Sequence, residues 1–300
     1  MSTNPMPQAE PTSLDHIGII VPSLADAAAL FTSLGFTLTA RADHTRTNDQ
    51  GEVESAGSAQ HSIMFEHGYI EVQEITDPQQ RHLLSPAAAK HFGAHIVAFG
   101  ETDAAAANLR VRTAGLPVGP VLDWGRPVYE PGLSGMARFA FFGAPYATED
   151  ESYLCWVQHL TPEILRSDRL VTHANGAREL AGILVAARDT TEVARIAARY
   201  QASGATLIAA SASNALLRAG RGTLDVRLAD TLPREMAGGL ATPALTGSGR
   251  IVALVIRADD PAAIAGLARQ AGLAVADTGK ALAIDLGAVV ATTLLIAPAQ

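Results

Sequence analysis

Four copies of one strand–helix–strands pattern run along the chain, and this repeat limits the possible folds more than any other feature. The first copy begins near residue 14 with LDHIGIIVPSLADAAALFTSLGF: a β-branched run, a cap, an Ala-rich stretch and Gly35. Further copies begin near residues 93, 181 and 250. Each copy predicts one helix packed on a sheet of three or four strands. We therefore predict an α+β fold of four tandem βαβββ modules.

A module of this kind covers one face of its sheet with the helix and leaves the other face concave. Two modules facing each other enclose a cup, into which polar side chains enter by strand alternation. We expect two such paired-module domains, at residues 13–175 and 176–300, after a disordered polar lead-in at residues 1–12. The Pro/Gly/Thr-rich segment 233–249 is predicted to be a loop between the last two modules.

The two predicted domains differ in their reactive side chains. All nine histidines precede residue 174, as do both tryptophans and every phenylalanine. The second half is rich in Ala, Leu, Val and Ile, which pack well and offer little for catalysis. We therefore expect the chemistry in the first domain, and a structural role for the second, degenerate one.

Composition and charge narrow the partners. A net charge of −8, with no cluster of Lys or Arg, argues against nucleic acid and anionic membrane surfaces as partners. No apolar run reaches the roughly 18 residues of a membrane-spanning helix. A single cysteine, Cys155, excludes an intramolecular disulfide and suits a reducing cytoplasm. We expect a cytoplasmic protein with a small-molecule ligand, and a homodimer is left open.

Two histidines occupy similar places in the first two copies. His16 opens the first strand of copy one and His95 that of copy two, and the closing glycines follow 19 and 20 residues later. Such a pair can hold a ligand or a metal ion, or each histidine can be a hydrogen-bonded structural residue. Glu71, in the strand GYIEV, is costly to bury unless it is paired or metal-bound; a solvated edge position is the alternative.

Four further residues are predicted to line the pocket. Gln60 and His61 open a strand beside it, although residues at such junctions often only satisfy turns. Trp124 and Arg126 would form a rim, where an aromatic face and a guanidinium can hold an anionic or aromatic ligand. A turn packed under a helix is the alternative for this rim.

The opening LDHIGIIVPSL with its Ala-rich helix and LGF, and the segments QHSIMFEHGYIEV and QHLTPEILR…HANGA, resemble the vicinal oxygen chelate superfamily. That superfamily includes glyoxalase I, bleomycin-resistance proteins and extradiol dioxygenases, and the match is to its glyoxalase-like domain branch, over about residues 13 to 190. The resemblance implies metal ligands on the first and last strands of paired modules. These would be His16, Glu71 and His95, with Glu71 also catalytic.

The fourth ligand position departs from the pattern of metal-using members. Aligning Tyr153 with Tyr69 puts Cys155 opposite Glu71, where those members commonly have a glutamate. His159 shares a strand face with Cys155 and is the other candidate.

Two imidazoles and a carboxylate suit Fe(II), Mn(II), Zn(II) or Ni(II) acting on a chelating oxygen substrate. The sequence thus favours a divalent-metal-dependent enzyme of glyoxalase, lyase, isomerase or dioxygenase type, acting on a small oxygenated substrate. The alternative is a metal-free small-molecule binding or resistance protein of the same fold.

Overall fold

The computed structural model describes residues 12–47, 50–80, 84–147, 149–232, 245 and 248–299. The predicted lead-in therefore lies outside the described residues except for Thr12, as does most of the predicted loop at 233–249. Within the described residues, no helix is long and apolar enough to cross a membrane.

The elements follow the predicted repeat. In the first half the strands are β1 Ser13–Ile20, β2 Ala42–Thr47, β3 Val53–Met64, β4 Tyr69–Ile75, β5 Gly93–Gly100, β6 Leu122–Glu130, β7 Leu133–Gly143 and β8 Tyr153–His159, and the helices are α1 Leu24–Ser33, α2 Ser85–Lys90, α3 Ala104–Thr113 and α4 Asp168–Val171. In the second half the strands are β9 Ala177–Ala187, β10 Thr206–Ala210, β11 Asn214–Ala219, β12 Gly222–Leu228, β13 Arg250–Ala258, β14 Val275–Asp277, β15 Leu282–Asp285 and β16 Thr293–Pro298, and the helices are α5 Thr190–Ala202, α6 Pro261–Gln270 and α7 Gly287–Val290. Short 3₁₀ helices span Pro162–Ile164 and Ala229–Thr231.

The strands form two 8-stranded sheets with the same order, β2-β3-β4-β1-β5-β8-β7-β6 and β10-β11-β12-β9-β13-β16-β15-β14. In each sheet the first strands of two modules pair antiparallel at the centre, β1 with β5 and β9 with β13. Each of these strands also pairs in parallel with the last strand of its own module. The prediction of four βαβββ modules in two paired-module domains is confirmed.

The module helices begin where the sequence supplies a cap. Ser23 accepts a hydrogen bond from the Asp26 backbone N–H at 3.2 Å and starts α1. Asp103, Asp189 and Asp260 cap α3, α5 and α6 in the same way. A side-chain oxygen at this position satisfies backbone N–H groups that the first turn leaves free. The start of each module helix is therefore fixed by one residue.

Strand alternation gives each sheet a helix-covered face and a concave face. Ile17 and Ile19 of β1 are buried in the main apolar core, as is Val21 directly after the strand, whereas His16 and Gly18 face the concave side. That core is continuous through both halves of the chain. The concave face of the first sheet is the cup that the repeat predicts.

Candidate functional site

Equivalent positions in the four modules can be identified from the helix caps. His16, Ile96, Gly182 and Ala253 each lie seven residues before the N-cap of the following helix. Each also pairs with the last strand of its module at an equivalent place: Tyr69, Tyr153, Thr223 and Thr293. The residue two positions further along the last strand is Glu71, Cys155, Asp225 and Leu295, in module order.

His16 is held by the residue before it. Its Nδ1 lies 2.7 Å from Asp15 Oδ2, and both residues are buried. The pairing of β1 with β5 shifts register between Leu14 and His16, and such a bulge re-aims side chains. With Asp15 ionised, Nδ1 must carry the proton that it donates, so the neutral ring has its lone pair on Nε2.

Asp15 also receives a hydrogen bond from across the sheet. His159 Nε2 lies 3.0 Å from Asp15 Oδ1, and the guanidinium of Arg166 is 4.0 Å from the same oxygen. Burial by itself would raise the pKa of Asp15, but the charge and hydrogen bond of His159 and then those of His16 lower it well below its usual value. Asp15 is therefore a buried carboxylate that bridges two histidines.

Glu71 is the third polar group in the centre of the cup. Its Oε2 lies 4.0 Å from His16 Nε2, and its side chain is 15% exposed. Gln73, two residues along β4 on the same face, donates a hydrogen bond to that oxygen. The Nε2 atom of His16 therefore faces a carboxylate whose orientation is fixed by Gln73.

Aromatic rings line the cup from β1 to the edge strand β6. His16 stacks on Tyr69 with ring centroids 4.3 Å apart, and Tyr69 meets His159 at 6.3 Å. His159 meets Phe139 at 5.3 Å, and Phe139 meets Trp124 at 5.5 Å. On the central strand β5, Ala98 is too small to come between these rings. The result is a row of five rings on one face of the sheet.

Three of the four predicted pocket residues face the cup. Trp124 pairs with Phe139 and Arg126 with Ala137, so both lie on the face of the ring row. Gln60 is buried on the cup face of β3, and its side-chain oxygen lies 2.5 Å from His44 Nε2. His61 points to the opposite face, where its Nδ1 donates to the Thr39 carbonyl at 2.8 Å.

His95 does not join His16 and Glu71. The module frame aligns His16 with Ile96, so His95 is displaced by one residue and points to the other side of β5, with Val97 and Phe99. It is 0% exposed, donates from Nε2 to the His91 carbonyl at 2.7 Å and stacks on the His91 ring. The prediction that His16 and His95 lie together is therefore wrong, because a shift of one residue along a strand puts the side chain on the opposite face of the sheet.

The two predicted candidates for the fourth ligand do lie in the cup. Burial, followed by the charges of Glu71 and Asp15, raises the pKa of the Cys155 thiol well above its usual value. A thiol held in its protonated form is a poor metal ligand and a poor nucleophile. The other candidate, His159, directs its Nε2 to Asp15.

The donor set does not fit the three-ligand metal site that the resemblance implies. His16 and Glu71 meet, but Ile96 and Cys155 stand at the matching positions of the second module. Among the described residues, no three His, Cys, Asp or Glu side chains are arranged to hold a metal ion.

The second sheet has no histidine at these positions. Gly182 and Asp225 stand where the first module has His16 and Glu71, and Ala253 and Leu295 where the second has Ile96 and Cys155. Its concave face is lined by a cluster of apolar side chains that includes Leu184, Ala253 and Leu295. The polar cluster of Asp15, His16, Glu71 and His159 therefore lies in the first half of the chain.

The sequence patterns did not identify Asp15, Tyr69, Gln73, Phe139 or Arg166 as members of the site. Tyr69 and Gln73 could have been found, because they alternate with Glu71 along β4. Asp15 could not, because strand alternation puts the neighbour of His16 on the opposite face unless a bulge intervenes.

Solved structures with the same fold cover almost the whole chain. A hypothetical protein from Staphylococcus aureus aligns over 96% of this chain and 100% of its own, at a TM-score of 0.66 and 8% identity. A triple mutant of 4-hydroxymandelate synthase from Streptomyces coelicolor aligns over 96% of this chain and 92% of its own, at a TM-score of 0.55 and 13% identity. A xylose isomerase-like TIM barrel/4-hydroxyphenylpyruvate dioxygenase fusion protein aligns over 96% of this chain and 49% of its own, at a TM-score of 0.55 and 12% identity. At these identities the likeness shows the fold alone.

No curated protein matches the sequence. The family model for the glyoxalase-like domain, in contrast, matches residues 14–201, which is more than half of the chain and contains the whole polar cluster. The paired βαβββ modules and this match together establish that the chain belongs to the glyoxalase-like domain family, within the vicinal oxygen chelate superfamily.

Proposed function

We propose that the protein is an enzyme that binds a small oxygenated molecule in the first cup and moves a proton on it with His16 and Glu71. The observation that carries the proposal is the geometry of His16. Asp15 fixes the ring through Nδ1, and Nε2 faces the Glu71 carboxylate at 4.0 Å. A histidine oriented by a carboxylate is a common form of general acid–base catalyst.

The roles follow from the contacts. Asp15 is ionised and stabilises the positive charge that His16 gains when Nε2 accepts a proton. Glu71, held by Gln73, is the second group that can take or return a proton at the same place. The buried rings around the pair limit the access of water and strengthen these interactions.

The panel that tests this consists of pyruvate, hydroxyacetone and phenylpyruvate in D₂O, with loss of the signal of the proton α to the carbonyl followed by NMR. We expect the wild-type protein to accelerate exchange for at least one compound, with the rate unchanged by a chelator. His16→Gln and Glu71→Gln should each slow it about 100-fold, within the usual contribution of a positioned acid or base. His95→Gln is the matched control and should retain the rate, because His95 lies on the other face of the sheet.

Absence of exchange with all three compounds, or an equal rate in His16→Gln, would reject the acid–base role. A rate that is lost on chelation and recovered with one divalent metal would instead support the second candidate, a metal-dependent enzyme. One observation favours that candidate: a carboxylate on Nδ1 is the usual partner of a metal-binding histidine and leaves Nε2 free. Elemental analysis of the wild-type and His16→Ala proteins separates the two, since only a metal enzyme loses bound metal with the imidazole.

A further inference from the structure

Arg126 is a half-buried cation on the face of the cup, and it makes no ion pair with any carboxylate of the described residues. Glu130, nearby on the same strand, is already paired with Arg169. Asp15 and Glu71 are held by the two histidines and Gln73. A guanidinium withdrawn from water without a counter-ion is unfavourable, so its position favours an anion in the cup.

Trp124 lies beside Arg126 with its ring uncovered. It is 45% exposed although it faces the cup, and it lies on Phe139 at the end of the ring row. Large apolar side chains that remain open at a concave surface are typical of ligand contacts. An open indole face offers a planar ligand both stacking and apolar contact.

These two residues are separated by one position on β6, so their side chains emerge about 7 Å apart on the same face. A single short molecule can therefore reach both groups. On this basis, and resting on the function proposed above, we propose that the substrate is an aromatic carboxylate. Its acid group pairs with Arg126, and its ring lies on the uncovered face of Trp124.

The arrangement also explains the division of the cup. Asp15 on β1 and Glu71 on β4 already have hydrogen-bond donors, whereas Arg126 on β6 has no carboxylate partner among the described residues. The ring row connects the two ends through His159 and Tyr69.

Three probes separate the two contacts: phenylacetate has the ring and the charge, cyclohexylacetate has only the charge, and phenylacetamide has only the ring. Titration calorimetry of the full chain should show phenylacetate binding at least about tenfold tighter than phenylacetamide, as expected for a charge-assisted pair. The preference over cyclohexylacetate should be about 3- to 10-fold, as expected for one aromatic contact.

Variants assign each preference to a residue. Arg126→Gln should abolish the preference for phenylacetate over phenylacetamide, and Trp124→Leu the preference over cyclohexylacetate. Arg138→Gln and Tyr129→Leu are matched controls on the outer face of the same hairpin and should bind as the wild type does. Circular dichroism of each variant checks that the fold is kept.

Equal affinity for the three probes, no measurable binding of phenylacetate, or wild-type selectivity in Arg126→Gln would overturn the inference. The outcome is independent of proton transfer, because calorimetry measures only the binding of the three probes, and the variants that decide it are at Arg126 and Trp124. If carbonyl exchange occurs without selectivity for the aryl acid, only this inference fails. If the aryl acid binds selectively and no exchange occurs, the acid–base proposal fails instead.

Discussion

His95 shows how strongly burial controls the charge of a single side chain in this fold. It is 0% exposed, and its Nε2 donates to the His91 carbonyl. Burial, and secondarily the charge of His91, lowers the pKa of His95 from 6.5 to about 3. Between pH 6.5 and about 3, His95 therefore binds a proton in the unfolded chain but not in the folded protein. Above pH 6.5 this difference has no effect, and stability falls as the pH drops from 6.5 toward 3.

Replacing His95 by Gln should reduce the loss of stability that the protein shows at acidic pH. At pH 5 the difference in proton binding by His95 costs the wild-type protein about 2 kcal/mol relative to neutral pH. The variant can be less stable at pH 7, but it should lose about 2 kcal/mol less than the wild type between pH 7 and pH 5. Urea unfolding at the two pH values measures this difference. The same loss in both proteins would show that His95 is not held neutral by the fold.

At the scale of the element, the sequence predicted the modules well because each helix carries its own start and stop signals. Ser23 and Asp103 cap the first two module helices, and Gly35 and Gly115 follow them with positive φ values of 81° and 91°. Both signals depend on local backbone geometry, so they can be read without knowing the fold. Strands alternate in the same local way.

The predicted pairing of His16 with His95 failed on these same signals. Gly35 and Gly115 are 80 residues apart, and so are His16 and Ile96, whereas His95 is one residue too close. The glycine spacings of 19 and 20 residues contained that mismatch. A helix tolerates a one-residue difference in alignment, but a strand does not, since the side chain then lies on the other face.

The centre of the site depends on contacts that local patterns do not contain. Asp15 and His159 are 144 positions apart in the sequence. They meet because their strands, β1 and β8, are both neighbours of β5 in the sheet. The bulge that turns Asp15 into the cup is a property of the pairing of β1 with β5. The sequence could indicate His16, Glu71 and the half of the chain in which they lie. Asp15, which joins the two histidines, could be identified only from the pairing of the strands.

Glycines within the elements provide a test of the strand packing. A Cβ on Gly182 would lie 2.4 Å from the Thr223 backbone oxygen, so Gly182→Ala should destabilise the protein by about 1–3 kcal/mol or more. Gly266 lies within α6 with nothing within 4 Å of an added Cβ, so Gly266→Ala should stabilise by about 0.5–1 kcal/mol. Thermal and urea unfolding of both variants compare the signs. A neutral Gly182→Ala would contradict the close approach of β9 and β12.

At the scale of the whole molecule, buried polar contacts join the two halves. Trp156 in β8 donates to the Ser203 carbonyl after α5 at 3.0 Å. Arg199 of α5 lies 2.6 Å from Glu151, whose side chain is 0% exposed, and also donates to the Ser152 carbonyl. Since the main apolar core also runs through both halves, we expect the second half to support the first and the chain to unfold as one unit.

The last prediction tests this cooperation through Arg199. Arg199→Met would leave the buried Glu151 carboxylate without its closest partner and should lower the free energy of unfolding by about 3–5 kcal/mol. Arg41→Met, which removes a pair exposed on both sides, should change it little. Both tryptophans lie in the first half, so their fluorescence follows that half, while far-UV circular dichroism follows the entire chain. The two signals should shift together in Arg199→Met, because a change made in the second half removes a contact that the first half needs. Separate transitions, with tryptophan fluorescence unchanged from the wild type, would show instead that the first half holds its cup without the second.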